Sequence, residues 1–227
     1  MSAKTAILLF AQSAEEEVKY KPFQRAKPLF EALNEQALKV VQSTKLPYFW
    51  ITEAEQEGNH FGERFTQALS HVFDQGYDQV IAIGNDCPHL TANHLLQGKD
   101  ALDQKQVVIG PSGDGGFYLL GINREVFNPA QYAQLPWQTA GLSRALLQLL
   151  SKTGQPVAFL EQLWDLDGPQ DVQDILQAVK PLAQKMRSLL KCLARKVLLQ
   201  DSASVKLAAK GTYSFPFSRG SPVLIST

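Results

Sequence analysis

The sequence predicts an α/β fold built on one mostly parallel sheet. Three observations carry this expectation. Short apolar runs alternate with helix-periodic stretches through residues 4–180, the pattern of strands joined by crossover helices. The runs I-L-L-F at 7–10 and V-I-A-I at 80–83 are apolar throughout, as strands covered on both faces must be. A length of 227 residues suits one such domain with a small appendage.

The elements follow in order. Residues 4–11 read as the buried first strand. Residues 12–23 come next, with Glu15, Glu16 and Glu17 and then Lys19 and Lys21, and without any glycine. Nucleotide-binding α/β folds place their phosphate cradle in this loop. Three glutamates would repel a diphosphate, so a solvated loop or helix start is expected here. In residues 28–44, Leu29, Leu33, Ala37, Val40 and Val41 stand at helical spacing, with Pro28 in the first turn. Residues 45–52 form an aromatic-rich strand, and 53–59 a charged loop. A helix over 61–73 lines up Phe61, Phe65, Leu69, Val72 and Phe73, and Gly76 stops it.

Residues 79–84 read as the central strand, and 91–102 as a short helix capped by Thr91. Strands follow at 106–110 and 115–122, so close together that they are either antiparallel neighbours or members of separate sheets. Residues 125–135 are polar and irregular, or hold a short helix. A helix over 141–153 turns Leu142, Ala145, Leu146 and Leu149 inward, and 156–160 form a strand. From Pro169 a helical pattern runs to about Val197, with Pro181 dividing it in two. Its polar face carries Lys180, Lys185, Arg187, Lys191, Arg195 and Lys196 with no acid, as a solvated face does. The tail after Asp201 reads as extended, partly packed through Phe215, Phe217, Val223 and Leu224.

Composition narrows the function classes. The 22 basic and 22 acidic residues balance, so no global field points to nucleic acid or a membrane surface. No run approaches the ~20 apolar residues of a membrane span, and the N-terminal apolar run lacks a signal-peptide cleavage pattern. Cys87 and Cys192 form neither a zinc spacing nor a disulfide framework, which suits a reduced, cytoplasmic setting.

Two strand ends carry aspartates. Asp86 follows the central strand through Gly84 and Asn85, where open α/β sheets place ligand chemistry. It suits a hard divalent cation, or it is a turn or cap residue. Asp114 stands in G-D-G-G, which marks close ligand approach or a hairpin turn. Phe117 and Tyr118 then fall on opposite faces of a strand. Asp165 and Asp167 share a face if their strand continues, and either brings a second carboxylate beside Asp86 or caps the helix after Gly168-Pro169. His60, His71, His89 and His94 show no zinc spacing, and His89, close to Asp86, reads as a surface residue before a substrate contact. Cys87 reads as a buried thiol rather than a nucleophile.

Together, F-G-E-R-F at 61–65, I-G-N-D-C-P-H-L at 83–90, G-P-S-G-D-G-G-F-Y-L-L-G-I at 110–122, L-P-W-Q-T at 135–139 and D-L-D-G-P-Q-D at 165–171 resemble the bacterial DUF2064 family in order and spacing. Its members are described as GT-A-type glycosyltransferases or nucleotide-diphospho-sugar transferases. The resemblance covers about residues 4–178. It implies a three-layer α/β/α GT-A-like fold over residues 1–180; the basic helix and extended tail of 181–227, read from the residue pattern as packed on or appended to that domain, lie outside the resemblance. It also implies a nucleotide-diphosphate site with Mg²⁺ or Mn²⁺. Asp86 would be the first metal or ribose-side carboxylate and Asp167 the second. Asp114, with Gly115 and Gly116, would form the sugar- or acceptor-side loop, making Asp86 and Asp114 the catalytic pair. Lys19, Lys21, Arg64, Gly84, Asn85, Gly115, Gly116 and Trp137 would bind nucleotide or substrate. The metal would neutralise the diphosphate as its bond breaks.

Two departures stand out. The family's usual K-x-P-x-x-G-x-x-K-T-R-L loop is here Q-S-A-E-E-E-V-K-Y-K-P-F, with Lys19 and Lys21 on basic positions, and Gly168 replaces a threonine. The first reading is metal-dependent sugar transfer from a nucleotide-diphosphate sugar to an unidentified acceptor. Nucleotidyl transfer to a small phosphorylated metabolite is one alternative. A binding protein of the same fold without turnover is the other, and the E-E-E loop favours it.

Overall fold

Six strands form one sheet in the order β2-β1-β3-β5-β4-β6, in a computed structural model that describes residues 3–21, 23 and 26–195. They are β1 (Thr5–Phe10), β2 (Tyr48–Ile51), β3 (Gln79–Ile83), β4 (Val107–Pro111), β5 (Phe117–Asn123) and β6 (Val157–Phe159). β1 pairs in parallel with β2 and β3, and β4 with β6. β5 alone runs the other way, between β3 and β4. The two closely spaced strands are therefore antiparallel neighbours. Their turn is closed by the Ser112 N–H donating to the Gly116 carbonyl at 3.1 Å. Gly115, at φ +92°, supplies the left-handed step a side chain would oppose.

Helices cover both faces, which is why the strands are apolar throughout. Alternate residues of β1 go to opposite layers. Ala6, Leu8 and Phe10 meet α3 (Phe61–Asp74), α5 (Pro129–Ala133) and α6 (Leu142–Ser151) through Phe65, Leu69, Val72, Tyr132 and Leu146. Ile7 and Leu9 meet α2 (Lys27–Ser43) and α4 (Ala92–Asp103) through Ala37, Val41, Leu95 and Leu102. Phe117 and Tyr118 divide the same way, one in each layer. The result is the expected three-layer α/β/α architecture, with a mostly parallel sheet. In α6 the buried stripe is Leu142, Leu146 and Leu150. Ala145 and Leu149, expected inward, are only half-buried, because the helix meets the sheet along a single i, i+4, i+8 ridge.

The segment after β1 is a helix, α1 (Ala14–Tyr20), rather than an open loop. Ser13 caps it by accepting the Glu16 N–H at 3.2 Å. At the other end of the chain, α7 (Asp171–Gln177) stops before Pro181, and residues 184–195 are helical again. Met186, Leu190 and Leu193 of that segment pack with Leu29, Phe30 and Leu33 of α2 and with Leu166, Val172 and Ile175. The basic face does meet acids, supplied by other elements: Lys180 pairs with Glu161 at 2.5 Å and Lys185 with Glu35 at 2.9 Å. The tail expected after Asp201, and Lys196, lie outside the described residues. No helix among the described residues is long and apolar enough to cross a membrane.

Candidate functional site

A cleft of about 980 Å³ lies beyond the C-terminal ends of β1, β3 and β4. Crevices of open α/β sheets sit there because the loops between parallel strands diverge at that edge. Asp86, Asp114 and Asp167 line it, with Lys21, Arg64, Gly84, Asn85, Gly116 and Trp137.

The loop after β3 builds the floor. A side chain at Gly84 would bring its Cβ to 3.0 Å from Asp86 Oδ1, so the glycine leaves the carboxylate room to fold back over the strand end. Asn85 is buried, and its Nδ2 donates to Asn34 Oδ1 at 2.6 Å. Asn34 Nδ2 in turn donates to the Gln12 carbonyl at 3.1 Å, tying the loops after β1 and β3 to α2. The Leu166 N–H donates to the Asp86 carbonyl at 2.9 Å. That bond lays the D-L-D segment alongside Asp86.

Asp86 and Asp167 meet at Lys21. Its Nζ lies 3.1 Å from Asp86 Oδ2, 3.0 Å from Asp167 Oδ1 and 3.8 Å from Glu17 Oε2. It also donates to the Leu166 carbonyl at 2.8 Å. Burial disfavours this ammonium, but Asp86, Glu17 and Asp167 outweigh burial and hold its proton affinity well above that of an ordinary lysine. Burial first, and then the charge of Asp86, push the Asp165 carboxyl up to about 8. Its buried Oδ1 has no hydrogen-bond partner among the described residues. Burial also raises the Glu17 carboxyl. No trio of His, Cys, Asp or Glu among the described residues stands as a ready-made metal cage.

Asp114 behaves differently. Its Oδ1 accepts from Ser112 Oγ at 2.5 Å and from the Gly116 N–H at 3.0 Å, so it organises its own turn. The Gly115 carbonyl accepts from Ser143 Oγ at 2.6 Å, tying that turn to α6.

Aromatic side chains also line the cleft. Trp137 packs 4.9 Å from Phe65, 5.4 Å from Phe61 and 5.8 Å from Phe117, centroid to centroid. Its Nε1 donates to the Tyr132 carbonyl at 2.8 Å. A Cβ on Gly62 would reach 2.5 Å from Trp137 Cδ1, so the glycine of F-G-E-R-F is what admits the indole. Arg64, from the same helix, lines the cleft.

Some expectations need correction. Lys19 does not line the cleft. It is exposed and pairs with Glu16 at 2.5 Å, because residue 19 falls on the outer side of α1. His89, read as a surface residue, is buried, and neither ring nitrogen has a partner among the described residues. Cys87 is buried as expected, and burial pushes its thiol up. Of the three glutamates, Glu15 turns away to Lys27 at 2.5 Å, whereas Glu16 and Glu17 line the cleft. Sequence reasoning missed Glu17, Tyr20 and Glu53 as lining residues. The signal for two of them was present: Glu17, Tyr20 and Lys21 are i, i+3 and i+4, one face of a helix.

Among solved structures, the chain is similar to a proposed nucleotide-diphospho-sugar transferase from Desulfovibrio desulfuricans G20. Identity is 20% and the TM-score 0.75, over 86% of this chain and 98% of that one. Looser matches include Rv0371c from Mycobacterium tuberculosis H37Rv in complex with manganese (14% identity, TM-score 0.47, 78% and 100% coverage). Another is the mannosyltransferase PcManGT from Pyrobaculum calidifontis with GDP-Man and Mn²⁺ (11%, 0.41, 95% and 77%). No curated protein matches the sequence. The first likeness establishes a GT-A-like fold. Residues 15–139 match the model of the family described as an uncharacterized protein conserved in bacteria, DUF2064, and the chain belongs to that family.

Proposed function

We propose that the cleft binds a nucleotide-diphosphate sugar and transfers its sugar to an acceptor. One observation carries this reading. Asp86 and Asp167, distant in sequence, converge on one lysine ammonium at the end of a cleft large enough for such a ligand. Trp137, Phe61, Phe65 and Arg64 line the same cleft. That mix of charged and aromatic lining suits a ligand with a diphosphate at its centre and rings at its ends.

Charge decides what else the reading requires. Glu16, Glu17, Asp86 and Asp167 line the cleft with Lys21, and a diphosphate entering alone would be repelled. A divalent cation fits the donor chemistry. Mg²⁺ and Mn²⁺ take hard carboxylate oxygens, which Asp86 and Asp167 present around the Lys21 ammonium. Asp86 and Asp167 would hold the ion, which would supply neutralisation of the diphosphate as the glycosidic bond breaks. Arg64 would orient the ligand, the Trp137 wall would exclude water, and the Asp114 turn would face the sugar or acceptor.

The cheapest test is a thermal-shift screen of UDP-, GDP-, CDP- and ADP-sugars with and without Mg²⁺ or Mn²⁺. Stabilisation by a nucleotide sugar that grows with metal is the expected result. No shift with any of them removes the reading. A second reading, binding without turnover, is favoured by α1 standing where a phosphate loop would be, with Glu16 and Glu17 turned into the cleft. A nucleotide sugar that stabilises the fold yet is never consumed, by transfer or by hydrolysis, would select it.

A further inference from the structure

Lys21, expected to bind nucleotide, stands instead between the two carboxylates expected to hold a metal. We propose that its ammonium is a resident cation that closes the seat between Asp86 and Asp167, so that a divalent ion occupies that seat only when the ammonium has left it. The inference rests on the preceding reading solely in naming a divalent cation as the second occupant.

The geometry makes the two occupants exclusive. A divalent ion touches carboxylate oxygens at about 2.0–2.6 Å. The Lys21 Nζ is already 3.1 Å from Asp86 Oδ2 and 3.0 Å from Asp167 Oδ1, so an ion bridging the same oxygens would fall in the space the ammonium fills. Its further partners, the Leu166 carbonyl at 2.8 Å and Glu17 at 3.8 Å, leave that ammonium surrounded by acceptors alone. No second cationic side chain pairs with Asp86 or Asp167 among the described residues.

The lysine is also placed to leave. Residue 21 is the C-cap of α1, and its N–H donates to the Glu17 carbonyl at 3.0 Å. Its backbone is therefore fixed by the helix while the four-carbon stem stays rotatable. α1 is itself anchored, since Glu53 accepts from the Ser13 N–H at 2.7 Å and from Ser13 Oγ at 2.5 Å. The side chain lines the cleft, so phosphate oxygens there would offer the ammonium a second set of acceptors. Nucleotide and metal would then bind synergistically, each favouring the arrangement the other needs.

The test is Mn²⁺ binding by the nucleotide-free full chain, read from the EPR signal of the free ion. Lys21→Met keeps the stem and removes the charge. It should bind Mn²⁺ roughly ten- to thousand-fold more tightly than wild type, the range one adjacent charge imposes on a carboxylate's proton affinity. Lys21→Arg, which keeps the charge, should bind as poorly as wild type. Adding Asp86→Asn to Lys21→Met should abolish the gain. Equal or weaker binding by Lys21→Met, or a gain that survives Asp86→Asn, overturns the proposal. Should Lys21→Met be unfolded in metal-free buffer, Mn²⁺ should raise its melting temperature while leaving wild type unmoved, and a melt insensitive to Mn²⁺ also overturns it. Because no nucleotide is present, the outcome is independent of whether the cleft binds a nucleotide sugar.

Discussion

Asp86 and Asp114 look alike in the sequence. Each follows an apolar strand, each has a glycine in its turn, and each has a respectable explanation as a turn residue. The structure separates them by where their partners come from. Asp114 spends an oxygen on Ser112 and Gly116, within its own turn. Asp86 reaches Lys21 at the end of α1, and its carbonyl receives the Leu166 N–H from the D-L-D segment after β6. A carboxylate satisfied locally is part of the backbone's architecture. One whose partners arrive from distant segments is held in place by the fold and remains available to a ligand.

The comparison is sharpest under paired substitution. Asp86→Asn should abolish the metal-dependent part of any nucleotide-sugar thermal shift. Asp114→Asn should retain it, since an amide oxygen still accepts from Ser112 and Gly116. Equal losses in the two variants would break the distinction. Truncation reverses the ranking in stability. Asp114→Ala removes two hydrogen bonds from the turn and should cost about 1–2 kcal/mol, measured by urea unfolding. A cost below about 0.5 kcal/mol, within the range of ordinary surface changes, would mean the turn stands without its aspartate.

His89 follows Asp86 in the same loop but lacks any partner among the described residues. Burial, and then the charges of Lys180 and Arg187, depress its pKa, with Glu161 opposing. A folded pKa below the unfolded value of about 6.5 means that the folded state binds fewer protons. The corresponding stability is present above that pH and is lost as pH falls through the folded pKa. Wild type should therefore lose more thermal stability between about pH 7.5 and about pH 5.5 than His89→Leu does. Parallel pH profiles for the two proteins would contradict this. The smallest effect is expected at Tyr132, whose buried hydroxyl also lacks a partner among the described residues. Tyr132→Phe should leave stability unchanged or raise it by up to about 1 kcal/mol. A loss of that size in calorimetry would show that the hydroxyl is hydrogen-bonded after all.

Much of the layer structure was legible in the residue pattern. Continuous apolar runs meant strands covered on both faces, and the 3–4 spacing in α2 and α3 gave helices close to their observed ends. Local rules sufficed there because burial of a strand or a helix face is written in its own few residues. The same holds for the D-G-G turn and for Thr91 and Pro181 as helix punctuation. The α1 segment was harder. Its charges left a solvated loop and a helix start both open, and the Ser13 cap and the helical spacing of Glu17, Tyr20 and Lys21 decided for the helix.

By itself, then, the sequence determined an α/β sheet, its strand-end aspartates and a family pattern linking residues 83–90 to 165–171. Tertiary structure alone decided that Lys21 stands between Asp86 and Asp167, that Lys19 faces away, and that His89 is buried. The physical reason is range. Turn and helix signals act over a few residues, whereas a charge's environment depends on every segment that packing brings within contact distance, and no local pattern encodes that sum.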